Sequence, residues 1–250
     1  MAGQTLHYGE SSVAYTISRR AQVMGKVAIH VQPNGAVQVD APEGASAADI
    51  RAAVRKRARW VMGHVEKVRE RNRDLQPRKY ISGECHYYLG RRYMLKVIPM
   101  KAAERRAGVE PSVKLIGGQL RVLTLERDAD VVKRLLREWY REHAQKHFER
   151  RLDELVLTTP WVKKKQLPGL KLREMKRHWG SCSPAGTIVL NPHLVKAPRE
   201  CIDYVIVHEL CHLKEHNHSK KYWALLGRVL PEWQERKRRI DSMAELMLNI

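Results

Sequence analysis

Cys201-Ile-Asp-Tyr-Val-Ile-Val-His-Glu-Leu-Cys-His-Leu-Lys-Glu-His-Asn-His-Ser-Lys-Lys-Tyr-Trp223 is the stretch around which the chain is organised. Within it lies His208-Glu209-x-x-His212. Residues four apart on a helix share one face, a turn apart, so both imidazoles can reach a single ion. Glu209 projects beside them, where a carboxylate can take a proton from a metal-activated water. Ile202, Val205, Ile206 and Val207 lead into the motif, and Leu210 and Leu213 accompany its end. A helix apolar on nearly every side is buried, and a buried His-Glu-His group is accounted for most economically by a metal.

A catalytic zinc site takes three protein ligands and keeps one position open. His216 and His218 are the candidates for the third. On a continued helix His216 would lie about 12 Å along the axis from His208 and about 80° around it, too far to share an ion. The third ligand is therefore expected beyond the helix end. Asn217 is expected to turn left-handed there and swing His218 back towards the pair. Ser219 then caps a further helix carrying Tyr222, Trp223, Leu225 and Leu226. Cys211 neighbours the ligand face and is read as a core-filling thiol.

Upstream, Leu170-Lys-Leu-Arg-Glu-Met-Lys176 alternates like a strand and Thr187-Ile-Val-Leu190 reads as another, joined by a turn-rich loop over 178–186. Pro198 suits the first turn of the His-Glu helix. A strand just before that helix can offer an open edge to an extended peptide. Trp179 and Ser181 in the loop, Arg173 and Lys176 beside it, and Tyr222 beyond the helix are the candidate substrate contacts. His178 is a further candidate for stabilising an oxyanion.

Earlier still, strands are expected at 13–17, 26–31 and 36–39, with Pro33-Asn34-Gly35 turning between the last two. Ser46 is a fair cap for one helix over about 47–72, with Ile50, Val54, Ala58, Val61, Val65 and Val68 on its inner face and Arg51, Arg55, Arg59, Arg69 and Arg73 outside. Hairpins follow around Leu89-Gly90-Arg91-Arg92 and Gly117-Gly118, and Asp128 or Asp130 opens a long helix to about Leu157. His143 and His147 lie four apart on it, but no Glu follows His143, and they are assigned to packing. The fold class is α+β: an amino-terminal strand-rich region with one basic amphipathic helix over 1–126, and a metal-bearing domain over 127–250.

The chain of 250 residues carries a net charge of +20, with 22 basic against 10 acidic residues in 1–125 and 25 against 17 in 126–250. Such an excess attracts polyanions, nucleotides or nucleic acid included; its densest run, Arg51 to Arg73, is read as the solvent side of an amphipathic helix. Nothing approaches the roughly 20 apolar residues of a membrane span. The first residues lack a secretion signal, and Cys85, Cys182, Cys201 and Cys211 form no C-x-x-C pair, so a cytoplasmic protein with reduced thiols is expected.

Taken together, Arg173…Lys176…Trp179-Gly-Ser-Cys-Ser183, Leu190-Asn191, Ala197-Pro198, the segment Ile202–Leu213 and Asn217-His218-Ser219…Trp223 resemble the YgjP-like metal-dependent hydrolases, relatives of the SprT and WLM zincin groups. Pro42, Gly44, Trp60 and Tyr88-Leu-Gly-Arg-Arg-Tyr93 extend the resemblance over nearly the whole chain. It implies a zincin-like catalytic domain, Zn2+ at His208, His212 and His218, and Glu209 as general base of a metallopeptidase acting on a peptide or protein. The His spacing equals that of metzincins, but Glu215 stands where those have Gly. Two alternatives accompany this expectation. One is a metal-dependent nucleoside triphosphate pyrophosphatase or phosphohydrolase, with Arg173, Lys176 and Arg177 holding phosphates; the other is a nucleic-acid-associated protease or binding protein.

Overall fold

Leu6, Val13, Tyr15, Ile29, Val37 and Val39 are all buried, and their period-two spacing builds the first sheet. The computed structural model describes residues 4–9, 11–20, 27–31, 35–72, 78–162, 167–175, 178–183 and 185–248. Its first unit, Met1–Gln76, contains β1 (Gln4–Tyr8), β2 (Ser11–Arg20), β3 (Ala28–Val31) and β4 (Val37–Pro42). The strand order is β1-β2-β4-β3, with β2 and β4 parallel at the centre. The sequence does not announce β1, because only Leu6 of its five residues is buried. Pro33 and Asn34 of the expected turn lie outside the described residues; Gly35 has φ +79°.

Ser46 does cap the following helix, its hydroxyl accepting from the Asp49 N–H. The single helix expected over 47–72 is two, α1 (Ala47–Lys56) and α2 (Ala58–Asn72). They are parted at Arg57, whose N–H reaches back to the Val54 carbonyl, a bond three residues long that tightens the turn. The apolar stripe runs unbroken across the joint, from Ile50 to Val68. Trp60 stands 45% exposed among the arginines, its ring 4.4 Å from that of His64; the basic face therefore carries an aromatic pair that its charge pattern alone does not suggest.

The second unit, Pro77–Ile250, opens with β5 (Cys85–Tyr88), β6 (Arg91–Pro99), the short helix α3 (Ala102–Arg106), β7 (Ser112–Ile116) and β8 (Gln119–Thr124). Their order, β5-β6-β8-β7 with β6 parallel to β8, repeats the topology of the first sheet. Both expected hairpins are present, turned by consecutive positive-φ residues, Leu89 and Gly90 in one and Gly117 and Gly118 in the other. Asp128 caps α4 (Ala129–Leu157) by accepting from the Asp130 and Val131 N–H groups. Phe148, the sole Phe of the chain, is fully buried on it.

Leu95, Val97, Leu120 and Val122 of this sheet belong to one core with Val132, Leu136 and Phe148 of α4 and Ile202 and Ile206 further on. For that reason the chain divides at 76/77 and not at the expected 126/127: the sheet has no separate core to bury. Three short strands follow, β9 (Leu170–Leu172), β10 (Gly180–Cys182) and β11 (Ile188–Leu190). They lie in the order β10-β11-β9, β11 antiparallel to β10 and parallel to β9. The strand expected over 170–176 is thus three residues long, and part of the expected loop is a strand. A 3₁₀ turn, Pro192–Lys196, then leads into α5 (Arg199–His212), α6 (Lys220–Val229) and α7 (Trp233–Leu248). Among the described residues no helix is long and apolar enough to cross a membrane.

Candidate metal centre

Pro198 starts α5, and the helix is fixed from several sides. Arg151 of α4 grips Asp203 with two hydrogen bonds of 2.8 and 2.9 Å. Trp161 donates its indole N–H to the Leu210 carbonyl at 2.8 Å. The Leu89 and Gly90 N–H groups at the first hairpin tip bond the Val195 and Lys196 carbonyls just upstream. Gly90 sits so close that a Cβ there would fall 2.8 Å from the Pro198 Cα.

On this anchored helix, His208 and His212 present their rings one turn apart, centroids 5.1 Å from each other. His218 returns to meet them, with centroids 5.0 Å from His208 and 4.8 Å from His212. The chain does not turn as expected: among the described residues only Tyr80 and Leu89 are positive-φ non-glycines, so Asn217 is not left-handed, nor is Glu215. Instead α5 closes at Leu213, right-handed itself, and the Ser219 N–H bonds the Asn217 carbonyl at 2.7 Å. The Ser219 hydroxyl then accepts from the Tyr222 N–H and caps α6.

One ligand atom from each of the three imidazoles lies within 4.8 Å of the others, the single such group of His, Cys, Asp or Glu found among the described residues. Nε2 of His208 and Nε2 of His218 are 3.1 Å apart. Two nitrogens each ~2.0–2.1 Å from one tetrahedral ion sit roughly 3.3 Å apart, so the donors fit a shared ion. His212 Nδ1 faces the Glu215 carbonyl at 3.1 Å, which places the proton on Nδ1 and leaves Nε2 free, the outer contact ligating histidines commonly make. His208 Nδ1 is buried without a hydrogen-bond partner. Burial chiefly, then His212 and His218, press the His208 pKa down to about 3, so the ring is neutral and able to ligate. Among the described residues His216 is exposed and does not join the group, while Cys211 is fully buried with its thiol pushed up to about 12 by burial.

Glu209 follows His208 on α5 and is 4% exposed, and burial raises its pKa to about 8. What makes room for it is Gly180. A Cβ on that residue would lie 2.6 Å from Glu209 Oε1 and 2.9 Å from its Cγ. Alternation along β10 then puts Cys182 on the same side as Gly180 and turns Ser181 to the other face, so the expected contact at Ser181 gives way to Gly180 and Cys182. The Asn191 N–H bonds the Trp179 carbonyl and the Ser183 N–H the Thr187 carbonyl. In that antiparallel phase Gly180 and Cys182 point their own N–H and C=O groups outward from the sheet. Sequence inspection passes over Gly180 because nothing local demands glycine there.

Tyr222 is fully buried, its ring 4.7–5.3 Å from all three imidazoles and its hydroxyl donating to the His208 carbonyl at 3.0 Å. It is a wedge between the rings, and the expected substrate contact is corrected accordingly. Trp223 stacks on His218 at 5.4 Å and on Trp233 at 4.6 Å, a row of rings that holds the most exposed histidine. Trp179 is half-buried against the core. Arg173 is exposed just after β9, its N–H on the Leu190 carbonyl, and Lys176 and Arg177 lie outside the described residues. Asn191, fully buried, ties this segment down by donating to the Met175 carbonyl at 2.8 Å while accepting from the His193 N–H. His143 and His147 pack as expected: His143 stacks on Trp139 at 3.9 Å and bonds its carbonyl.

A family model described as "YgjP-like, metallopeptidase domain" matches residues 25–243. Among solved structures, the chain is similar to the metallopeptidase zymogen abylysin of Pyrococcus abyssi, with 28% identity over 40% of this chain and 94% of that one and a TM-score of 0.35. It is also similar to the metallopeptidase zymogen jannalysin of Methanocaldococcus jannaschii, with 23% identity over 39% of this chain and 96% of that one and a TM-score of 0.34. No curated protein matches the chain.

Proposed function

The chain belongs to the YgjP-like metallopeptidase-domain family, and from that premise we propose that it is a zinc-dependent peptidase with a zincin-like catalytic domain. His208, His212 and His218 hold the ion and Glu209 is the general base. The observation that carries this is the convergence of three imidazoles within 4.8 Å, with the buried carboxylate of Glu209 next to His208 in sequence. When bound, the ion supplies Lewis acidity: it polarises the scissile carbonyl, acidifies the attacking water and draws the Glu209 carboxyl back towards its ionised form. Glu209 accepts the water's proton at its carboxylate and delivers it to the leaving amine nitrogen. Gly180 and Cys182 offer outward N–H and C=O groups along which an extended peptide can add as a strand. Tyr222 keeps the three rings apart and dry on their inner side.

The four cysteines are all unpaired, which supports a reducing, cytoplasmic setting. The exposed Trp60–His64 pair amid Arg55, Arg57 and Arg59 favours nucleic acid as a second partner of the first unit. Trp60→Ala is then expected to weaken salt-sensitive binding of single-stranded DNA without changing peptide cleavage. The test of the main proposal is metal analysis of the purified chain and a casein and peptide panel, comparing the parent with Glu209→Gln. About one zinc per chain and cleavage lost only in the variant are expected. Absence of metal-dependent cleavage across the panel would overturn it.

A further inference from the structure

Alternation along the sheet of β5 to β8 sorts its side chains between two faces. Leu95, Val97, Leu120 and Val122 turn inward to the core shared with α4. Lys96 of β6, Arg121 of β8 and Lys114 of β7 turn the other way, and all three are exposed. The register sets Lys96 opposite Arg121 and Arg121 opposite Lys114, so the cations form one row across three adjacent strands. Like charges directly opposite one another destabilise a sheet. Among the described residues no carboxylate pairs with any of the three. Arg121 donates from Nε to the Gln119 side-chain oxygen at 3.2 Å and keeps the rest of its guanidinium N–H groups to give. Neither packing nor the peptidase proposal explains a row of mutually repelling, uncompensated cations.

Neighbouring strands lie about 4.8 Å apart, so the row is roughly 10 Å long. Two residues along each strand, about 6.8 Å away, comes an apolar row. Met94 and Ile116 flank Gln119 there in register, 44% and 47% exposed. On the other side of the cations Ile98 stands opposite Leu123, both half-buried. A cleft of about 540 Å³ is bordered by Lys96, Ile98 and Arg127, which adds a fourth cation where the row meets it. The face is thus banded: apolar, cationic, apolar.

Such a face fits a line of fixed negative charges with apolar contact alongside. Lysine is depleted at protein–protein interfaces, which points away from an acidic protein. Single-stranded nucleic acid is held by stacking on aromatic rings, and the three rows contain none. Duplex DNA presents a phosphate every 3.4 Å or so along each strand. Its major groove admits a helix or a two-stranded ribbon, narrower than this face. In the minor groove, methionine, leucine and isoleucine side chains serve as wedges between base steps while cations take the backbone. We infer that the outer face of the β5-β6-β8-β7 sheet binds duplex DNA from its minor-groove side. Lys96, Arg121 and Lys114 meet the phosphates of one strand, and Met94 and Ile116 turn into the groove. This rests neither on the peptidase proposal nor on the aromatic pair of the first unit.

The test is fluorescence anisotropy of a labelled mixed-sequence duplex titrated with the full chain between about 50 and 200 mM salt. The parent is compared with the triple variant Lys96→Gln, Lys114→Gln, Arg121→Gln. Three phosphate contacts at about 0.9 each predict a slope of log K against log salt flatter by about 2.7 in the variant, with affinity at the lowest salt at least ~10-fold weaker. The variant's melting temperature should equal or exceed the parent's, because the repulsion within the row is relieved; that separates lost binding from lost folding. Met94→Ala with Ile116→Ala should weaken binding and leave the salt slope unchanged. A parent that does not bind the duplex overturns the inference, as does a folded triple variant with parental affinity and slope. Binding of a single strand, poly-glutamate or phosphatidylserine vesicles as tightly as the duplex overturns it equally.

Discussion

Gly180→Ala tests whether the position of Glu209 governs turnover. The new methyl would lie 2.6 Å from Oε1, 2.9 Å from Cγ and 3.0 Å from Cδ of Glu209. Ordinary contact begins near 3.4 Å, so the carboxylate must retreat by about 0.8 Å. Misplacing a reacting group by ~1 Å costs on the order of 10²-fold, or about 2.7 kcal/mol of barrier. Gly180 is absent from the positive-φ glycines, so alanine strains no backbone dihedral. It also stiffens the unfolded chain by about 0.4–1 kcal/mol, and stability therefore stays near the parent's. Expected are a kcat lowered roughly 30- to 100-fold, metal content unchanged and a melting temperature within a few degrees. Steady-state peptide cleavage, metal analysis and thermal melting read the three quantities separately. Parental kcat with full metal content would refute the argument; so would loss of the metal, since the methyl would then be acting on the ligands.

Trp223→Ala removes the ring on which His218 stacks and is expected to weaken metal binding about 10- to 100-fold, by analogy with other outer contacts of metal ligands; chelator competition measures it, and unchanged affinity would reduce the row of rings to packing. Gly90→Ala places a methyl 2.8 Å from the Pro198 Cα at φ +77°, and urea unfolding should show a loss on the order of 2 kcal/mol, with a loss under ~0.5 kcal/mol counting against it. Lys196, whose pKa of about 7 lies below its ordinary 10.5, binds its proton more readily in the unfolded chain, so the stability it confers is full above about 10.5, falls as pH drops and levels out below about 7. Urea midpoints should therefore rise from pH 7 to 9.5 in the parent, and less so in Lys196→Met. An equal slope in both would refute the assignment.

The pairing of His208 with His212 was legible in the sequence because helical spacing alone brings such rings together. The return of His218 was legible too, but its route was not. A left-handed Asn217 was the simplest local device, whereas the chain uses a right-handed exit at Leu213 and a tight Asn217–Ser219 bond, both supported by Tyr222 packed among the rings. The β10 strand escaped because Gly-Ser-Cys has no strand signature of its own; Val189 across the sheet supplies the pairing. Gly180 escaped for a related reason, since the need for glycine arises from a carboxylate 29 positions later in the sequence. The boundary at 126/127 failed where local patterns say nothing: the inner faces of β6 and β8 have only α4 and its neighbours to pack against.

Of the three imidazoles only that of His218 is exposed, and it reaches the other two across a backbone turn, not along their helix. An ion seated there acts as a clasp between α5 and the start of α6, with two prongs rigid and one hinged. With zinc held as proposed, escape is expected to begin at the hinged prong, by fraying of the few residues from Leu213 to Ser219 while the rest of the molecule stays folded.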